Sequence, residues 1–123
     1  MTVFPAIVLE AFRAKHEVEV ETTSVAGEVH RVIIWIVVTG DVPYVRSVRG
    51  AKGRWFRELM RRGDGAIHIG PRRIPMRAKR VTDPAENARV SEAIEQKYVQ
   101  PVESVRAMVR DEVLATTARL EPA

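Results

Sequence analysis

The hydrophobic pattern changes period along the chain, and each change marks an element. Residues 4–15 place Ile7, Val8, Ala11 and Phe12 on one face of a helical repeat, which predicts a short amphipathic helix entered through Pro5. "EVEVE" (Glu17 to Glu21) alternates strictly, the period of a strand with one wet face. Ser24 and Gly27 mark the turn that follows. The run Val32 to Val38 contains no polar residue and is β-branched or aromatic throughout. It predicts one strand covered on both faces, by a core on one side and by a helix or another subunit on the other. Gly40-Asp41 then joins it to a second strand, Val42 to Val48, as a hairpin; Pro43 sits near that strand's start, where a missing donor is tolerated.

Further along, Trp55, Phe56, Leu59 and Met60 form the buried stripe of a helix over Arg54 to Arg62, with Gly63 at its C-terminal cap. "AIHIG" reads as a brief strand. "IPMRAKRV" reads as another, with Ile74, Met76 and Ala78 on one face. Asp83-Pro84-Ala85-Glu86 supplies a cap residue, a first-turn proline and an acid three positions after the cap, so a helix starts there and ends before Pro101. The tail stays open. Val102, Val105 and Val109 suit a helix, while Leu114, Thr116, Ala118 and Leu120 suit one face of a strand. Five or six strands in meander order, with helices between and after them, imply an α+β fold with a mainly antiparallel sheet or small barrel. At 123 residues the chain is expected to be one domain. Within it, 1–16 is an N-terminal helix, 17–81 holds the barrel strands with an inserted helix, and 82–123 holds C-terminal helices and a final strand.

Composition narrows the chemistry. There is no cysteine, which removes disulfides, thiolate metal sites and thiol nucleophiles. The N-terminus lacks a basic leader with an apolar run, and Val32 to Val38 is too short to cross a bilayer, so a cytoplasmic protein with no membrane partner is expected. His16, His30 and His68 have no metal-ligand spacing, so no metal site is expected. Ser24, Ser47, Ser91 and Ser104 have no nucleophile-elbow context. Enzymatic chemistry would then reside in a bound cofactor. The catalytic group is not assigned; Tyr44 and His68 are the candidates for protonating a product.

Charge is segregated. The net charge is +4, but Arg46 to Arg80 holds twelve Lys/Arg against two acids, a balance of +10, and the rest carries −6. Such a field suits an anion, although unrelated exposed arginines would give the same count. Within it, "RSVRGAKG" runs from a strand into a helix. Free amides at a helix start, with Gly50 and Gly53 allowing close approach and Arg46, Arg49 and Lys52 adding charge, make a phosphate seat. It is neither a nucleotide-hydrolase loop nor a dinucleotide fingerprint. The same bases, with Tyr44 and Trp55 as stacking platforms, also fit a nucleic-acid module. A turn that needs its glycines only for geometry fits a cofactor-free protein. Trp55 and Phe56 read first as core, and Trp35 and Tyr44 can flank a flat ring.

The order of strands, then Tyr44-Val45-Arg46-Ser47, a glycine turn, Trp55 and Leu59, resembles the flavin-binding split β-barrel superfamily (pyridoxamine-phosphate-oxidase-like). Within it the chain is most similar to a small domain family of unknown function allied to the deazaflavin-dependent nitroreductases. Ser47, Gly50, Trp55 and Leu59 match the relatives' serine–glycine turn and Trp-x-x-Asn-Leu helix, and "VRDEVLATTARLEP" resembles the uncharacterised family's end, which favours a final strand. Ala51, Gly53 and Glu58 depart from a paired glycine, a proline and an asparagine, and an N-terminal Thr-Gly-Arg-Ser-Gly turn survives only as Thr22, Thr23, Ser24 and Gly27. The resemblance implies a six-stranded split barrel, a homodimer with the cofactor at the subunit interface, and hydride transfer from FMN or a deazaflavin (coenzyme F-420) to a small-molecule redox substrate. Arg46, Ser47, Arg49, Gly50, Lys52, Gly53 and Trp55 are then the cofactor-binding residues, with residues 22–31 and 72–77 completing the pocket.

Overall fold

The computed structural model describes residues 3–123, so the first two residues of the predicted N-terminal segment lie outside the described residues. The elements are α1 (Ala6–Ala14), β1 (Val18–Thr23), β2 (Val29–Ile34), β3 (Val37–Thr39), β4 (Val42–Arg46), a 3-10 turn (Gly50–Lys52), α2 (Arg54–Arg62), β5 (Asp64–Ile69), β6 (Arg72–Arg80), α3 (Pro84–Lys97), α4 (Val102–Val109), α5 (Asp111–Leu114) and β7 (Thr117–Pro122). The strands form one antiparallel seven-stranded sheet in the order β2-β1-β5-β6-β7-β4-β3, curled into a half-barrel. This is the expected α+β split barrel, with one strand more than the six expected.

The extra strand comes from the apolar run. Val32 to Val38 is not one strand. It leaves β2 at one edge of the sheet, turns at Trp35-Ile36, and enters β3 at the other edge. The corner brings the two edges together and closes the curl covalently. Nor is β2 covered on both faces within the chain: Val29 and Ile33 are 60% and 61% exposed. Within the chain, the missing polar residues reflect a corner and, on β2, a face that no helix covers.

Elsewhere the periods read true. Val18, Val20 and Thr22 of β1 point inward, as do Ile74, Met76 and Ala78 of β6. They meet Trp55, Phe56 and Leu59 of α2 and Phe12 of α1 in the core inside the curl. In α1 the face is rotated: Val8, Leu9 and Phe12 are buried and Ile7 is exposed. Gly63 ends α2 at φ 79°, the left-handed conformation that favours glycine at such a cap. Asp83 caps α3 by accepting from the Glu86 amide at 3.1 Å. The tail holds both of its readings in succession, α4 and then β7, which fills the sheet between β6 and β4. A second core, with Val90 and Ile94 from α3, Tyr98 just after it, Tyr44 from β4 and Met108 from α4, covers the outside of the curl.

Candidate functional site

The segment between β4 and α2 is built around two buried residues. Arg46 ends β4 and is 2% exposed. Its Nε donates to Thr117 Oγ1 at 2.8 Å, Nη1 to Ser91 Oγ and the Met108 carbonyl at 2.9 Å each, and Nη2 to the carbonyl and Oδ1 of Asn87 at 3.2 and 3.1 Å. Every N–H of the guanidinium is thereby used. No carboxylate lies within ion-pair distance among the described residues, and burial lowers its pKa to about 10. Arg46 ties β4 to α3, α4 and β7. It contributes a fixed charge to the site but has no spare donor for a ligand.

Ser47 holds the turn. Its amide donates to Thr116 Oγ1 at 3.2 Å and its hydroxyl to the Gly50 carbonyl at 2.9 Å. Gly50 adopts φ 66°, a conformation that disfavours other residues. Gly53 is needed for a different reason: a Cβ there would lie 2.5 Å from Ser47 Oγ. Gly53 also occupies the cap position of α2, with no side chain capping the helix and no acid in its first turn. The first-turn amides of such a helix have no partner inside it, and its positive dipole end is unneutralised.

These features border a cavity of about 840 Å³. Arg46, Ser47, Arg49, Gly53 and Trp55 line it from the turn and the start of α2, joined by Arg54. Gly50 and Lys52 belong to the turn but not to the cavity wall; Lys52 is solvent-exposed. The other walls are Val32 to Ile34 of β2, the corner residue Trp35, and Glu103, Ser104, Ala107 and Met108 of α4, with Glu17 beside them. Residues 22–31 and 72–77, expected to complete the pocket, lie outside this lining. The α4 wall was missed because the tail carried no motif, only an undecided period.

Other expected groups are placed elsewhere. Tyr44 donates to Glu86 Oε2 at 2.6 Å, and burial, with that bond, raises its pKa to about 12. It borders a separate, smaller cavity of about 320 Å³ with Arg119 and Glu86. Trp35 does not pair with Tyr44 around a ring; it stacks on Tyr98 with centroids 4.0 Å apart and planes 2° from parallel. His68 lies 2.7 Å from Glu21 Oε1 and His30 lies 3.1 Å from Glu58 Oε1. Among the described residues no cluster of His, Cys, Asp or Glu has metal-site geometry. No helix is long and apolar enough to cross a membrane among those residues.

The curled sheet, with a cavity beside the β4–α2 turn, has the split β-barrel fold. Solved structures agree on the fold. The conserved hypothetical protein Rv2991 from Mycobacterium tuberculosis superposes with a TM-score of 0.71 at 15% identity, over 99% of this chain and 82% of that one. A pyridoxamine-5'-phosphate-oxidase-like protein from Listeria innocua gives 0.67 at 16% identity, over 94% and 90%. An F-420-H2-dependent reductase (FDR-A) gives 0.63 at 15% identity, over 87% and 95%. The chain itself belongs to the family described as uncharacterized protein conserved in bacteria (DUF2255), which matches residues 8–120. Comparison of the sequence with curated proteins gives no significant match.

Proposed function

We propose that the cavity binds a flavin-type cofactor, FMN or coenzyme F-420, and that the protein is an oxidoreductase reducing a small molecule. One observation carries the reading: a cavity of about 840 Å³ opens onto the uncapped start of α2, with Arg49 and Arg54 at its wall. That size is in the range of small-molecule and cofactor sites. The residues present fit the group. The amides of the first α2 turn and the two arginines suit a phosphate, since a helix start and guanidinium groups both favour anions. Val32, Ile34, Trp35 and Trp55 give an apolar wall for a ring system. A bound flavin or deazaflavin would supply the hydride; this chain's part is to hold the anionic end, seat the ring and exclude water. Arg46, at the wall but with no spare donor, acts as a fixed positive charge.

The active form in this reading is a homodimer. Val29 and Ile33 are exposed on edge strand β2, and Ile33 also borders the cavity. A second copy packed on β2 would cover both and close the cavity's open side. Support for redox chemistry comes from the fold, which an F-420-H2-dependent reductase shares.

Fluorescence titration with FMN and with F-420 tests the reading. Binding of one of them at roughly tens of micromolar or tighter is expected, a modest affinity for a charged ligand of this size. Arg49→Gln with Arg54→Gln should weaken it about tenfold or more, because a hydrogen bond to a charged group contributes ~1.5–3 kcal/mol. Failure of both cofactors to bind would overturn the assignment.

A further inference from the structure

Two tryptophans line the cavity, and they are held by different means. Trp55 is buried in the first turn of α2, as part of the core inside the curl. Trp35 is half-buried at the corner between β2 and β3, outside any strand or helix. A side chain on such a corner has several rotamers open to it unless a neighbour selects one.

That neighbour is Tyr98. Its ring lies parallel to the Trp35 indole, 2° apart in plane and 4.0 Å between centroids. His16 completes the group edge-on, 4.8 Å from Tyr98 and 6.1 Å from Trp35. Tyr98 is itself fixed. It is fully buried in the second core. Its hydroxyl accepts from the Ile36 amide at 3.1 Å and donates to the His16 carbonyl at 2.7 Å. The ring thus sets the Trp35 side chain, while the hydroxyl sets the backbone beside it.

Tyr98 is absent from the cavity wall; Trp35 is in it, with Val32 and Ile34 of the preceding strand. One face of the indole is spent on Tyr98, which leaves the other for a ligand. A flat ring is recognised best by a surface already at the right angle, because a side chain ordered only on binding takes its lost freedom out of the affinity. The anion seat at the start of α2 belongs to other residues, so the two ends of a ligand are held by separate devices.

We propose that Tyr98 is a positioning residue for the ring end of the ligand. It touches no ligand; it presets the Trp35 indole, so that a flat ring entering the cavity extends the Tyr98–Trp35 stack by one member. This role rests on the reading that a ring-bearing cofactor occupies the cavity. It adds that ring affinity, and not anion affinity, depends on a residue outside the wall.

Three probes separate the two ends: lumiflavin (ring without phosphate), inorganic phosphate (anion without ring) and FMN (both). Each is titrated by calorimetry into wild type, Tyr98→Phe and Tyr98→Leu. Tyr98→Leu should weaken lumiflavin and FMN by roughly three- to tenfold, the scale of one side chain left to be ordered on binding, with phosphate affinity unchanged. Tyr98→Phe keeps the stack and should restore ring affinity, even where loss of the hydroxyl lowers stability. Should Tyr98→Leu fail to fold, the Trp55→Phe variant carries the test, because Trp35 is then the sole tryptophan. Its fluorescence anisotropy decay should show no fast local motion before any ligand is added. An indole that moves freely in the ligand-free protein, no lumiflavin binding, equal ring affinities in wild type and Tyr98→Leu, or phosphate affinity that falls in step with the ring would each overturn the role of Tyr98. FMN binding that ignores Tyr98→Leu would do so while keeping the cofactor reading. Lumiflavin binding that depends on Tyr98, in a protein that takes up neither FMN nor F-420, would remove the cofactor reading and leave the preset platform standing.

Discussion

Two regions of the molecule carry much of its charge, and they use it differently. On the β1–β5–β6 surface charges are matched: Arg73 donates to both oxygens of Glu21, and His68 approaches the same carboxylate. Beside it, Thr22 and His30 share Glu58. At the β4–α2 turn, Arg49 and Arg54 have no ion-pair partner among the described residues, and the buried Arg46 is held by neutral oxygens alone. Of the twelve bases between Arg46 and Arg80, six are engaged among the described residues: Arg46, Arg61, Arg62, Arg73, Lys79 and Arg80. A linear count of charge therefore overstates the field. What attracts an anion is the unmatched fraction, and it gathers where a helix start adds to it.

The largest effect that would sharpen this contrast is on stability. Arg46→Met removes the guanidinium from five protein acceptors, four of them in buried hydrogen bonds. Unsatisfied buried groups cost about 1–3 kcal/mol each, so a total loss on the order of 3 kcal/mol or more is expected. In a chain of this size that lowers Tm by roughly 10 °C or more in a thermal melt. Arg49→Gln, a few residues away, should stay within about 0.5 kcal/mol of wild type while weakening anion binding. Similar melting curves for the two variants would erase the distinction between a structural and a ligand-facing arginine.

Next comes Gly53→Ala. Its backbone, at φ −61° and ψ 128°, is open to any residue, so the conflict is one of space with Ser47 Oγ. A loss of about 1–3 kcal/mol is expected, the usual cost of overpacking. Ser47→Ala in the same chain should recover part of it, and a double-mutant cycle with no coupling between the sites would show that the crowding lies elsewhere.

The smallest effect concerns the matched surface. The hydrogen bond from Arg73, then that from His68, holds the Glu21 carboxyl at about 2, below its ordinary 4.5. A carboxylate with a depressed folded pKa adds stability that is complete above the unfolded value and is lost as pH falls through the folded one. Between about pH 5 and pH 2 the wild type should therefore lose its margin over Glu21→Gln. That margin is no more than about 2 kcal/mol once solvent screening at the surface is counted. Urea midpoints at pH 6 and pH 3 read it; a gap that does not narrow at the lower pH would assign the stabilisation to something other than this carboxylate.

Much of the fold was legible because local signals and tertiary structure agree. The Asp83 cap, the Gly63 stop, the stripe of α2 and the alternation of β6 are all stated within a few residues. The corner at Trp35-Ile36 was not legible. A run of β-branched residues looks alike whether it continues or turns, and the turn is set by Tyr98 and Lys97, which are distant in sequence. The site was legible in half. Glycines and bases between two elements mark the turn, but nothing local distinguishes an arginine facing a cavity from one buried under it. The α4 wall has only its apolar period, and an amphipathic helix does not announce what its polar face borders.

That corner has a mechanical consequence. Tyr98 accepts a hydrogen bond from the Ile36 amide at 3.1 Å, and Lys97 Nζ donates to the Ile36 and Phe12 carbonyls at 2.7 and 2.8 Å. Burial lowers the pKa of that lysine to about 8. The two residues at the end of α3 thus act as a clasp on the seam where the rolled sheet meets itself. Trp35, stacked on the clasp, forms part of the cavity wall, so that wall is positioned by how tightly the cylinder is buttoned.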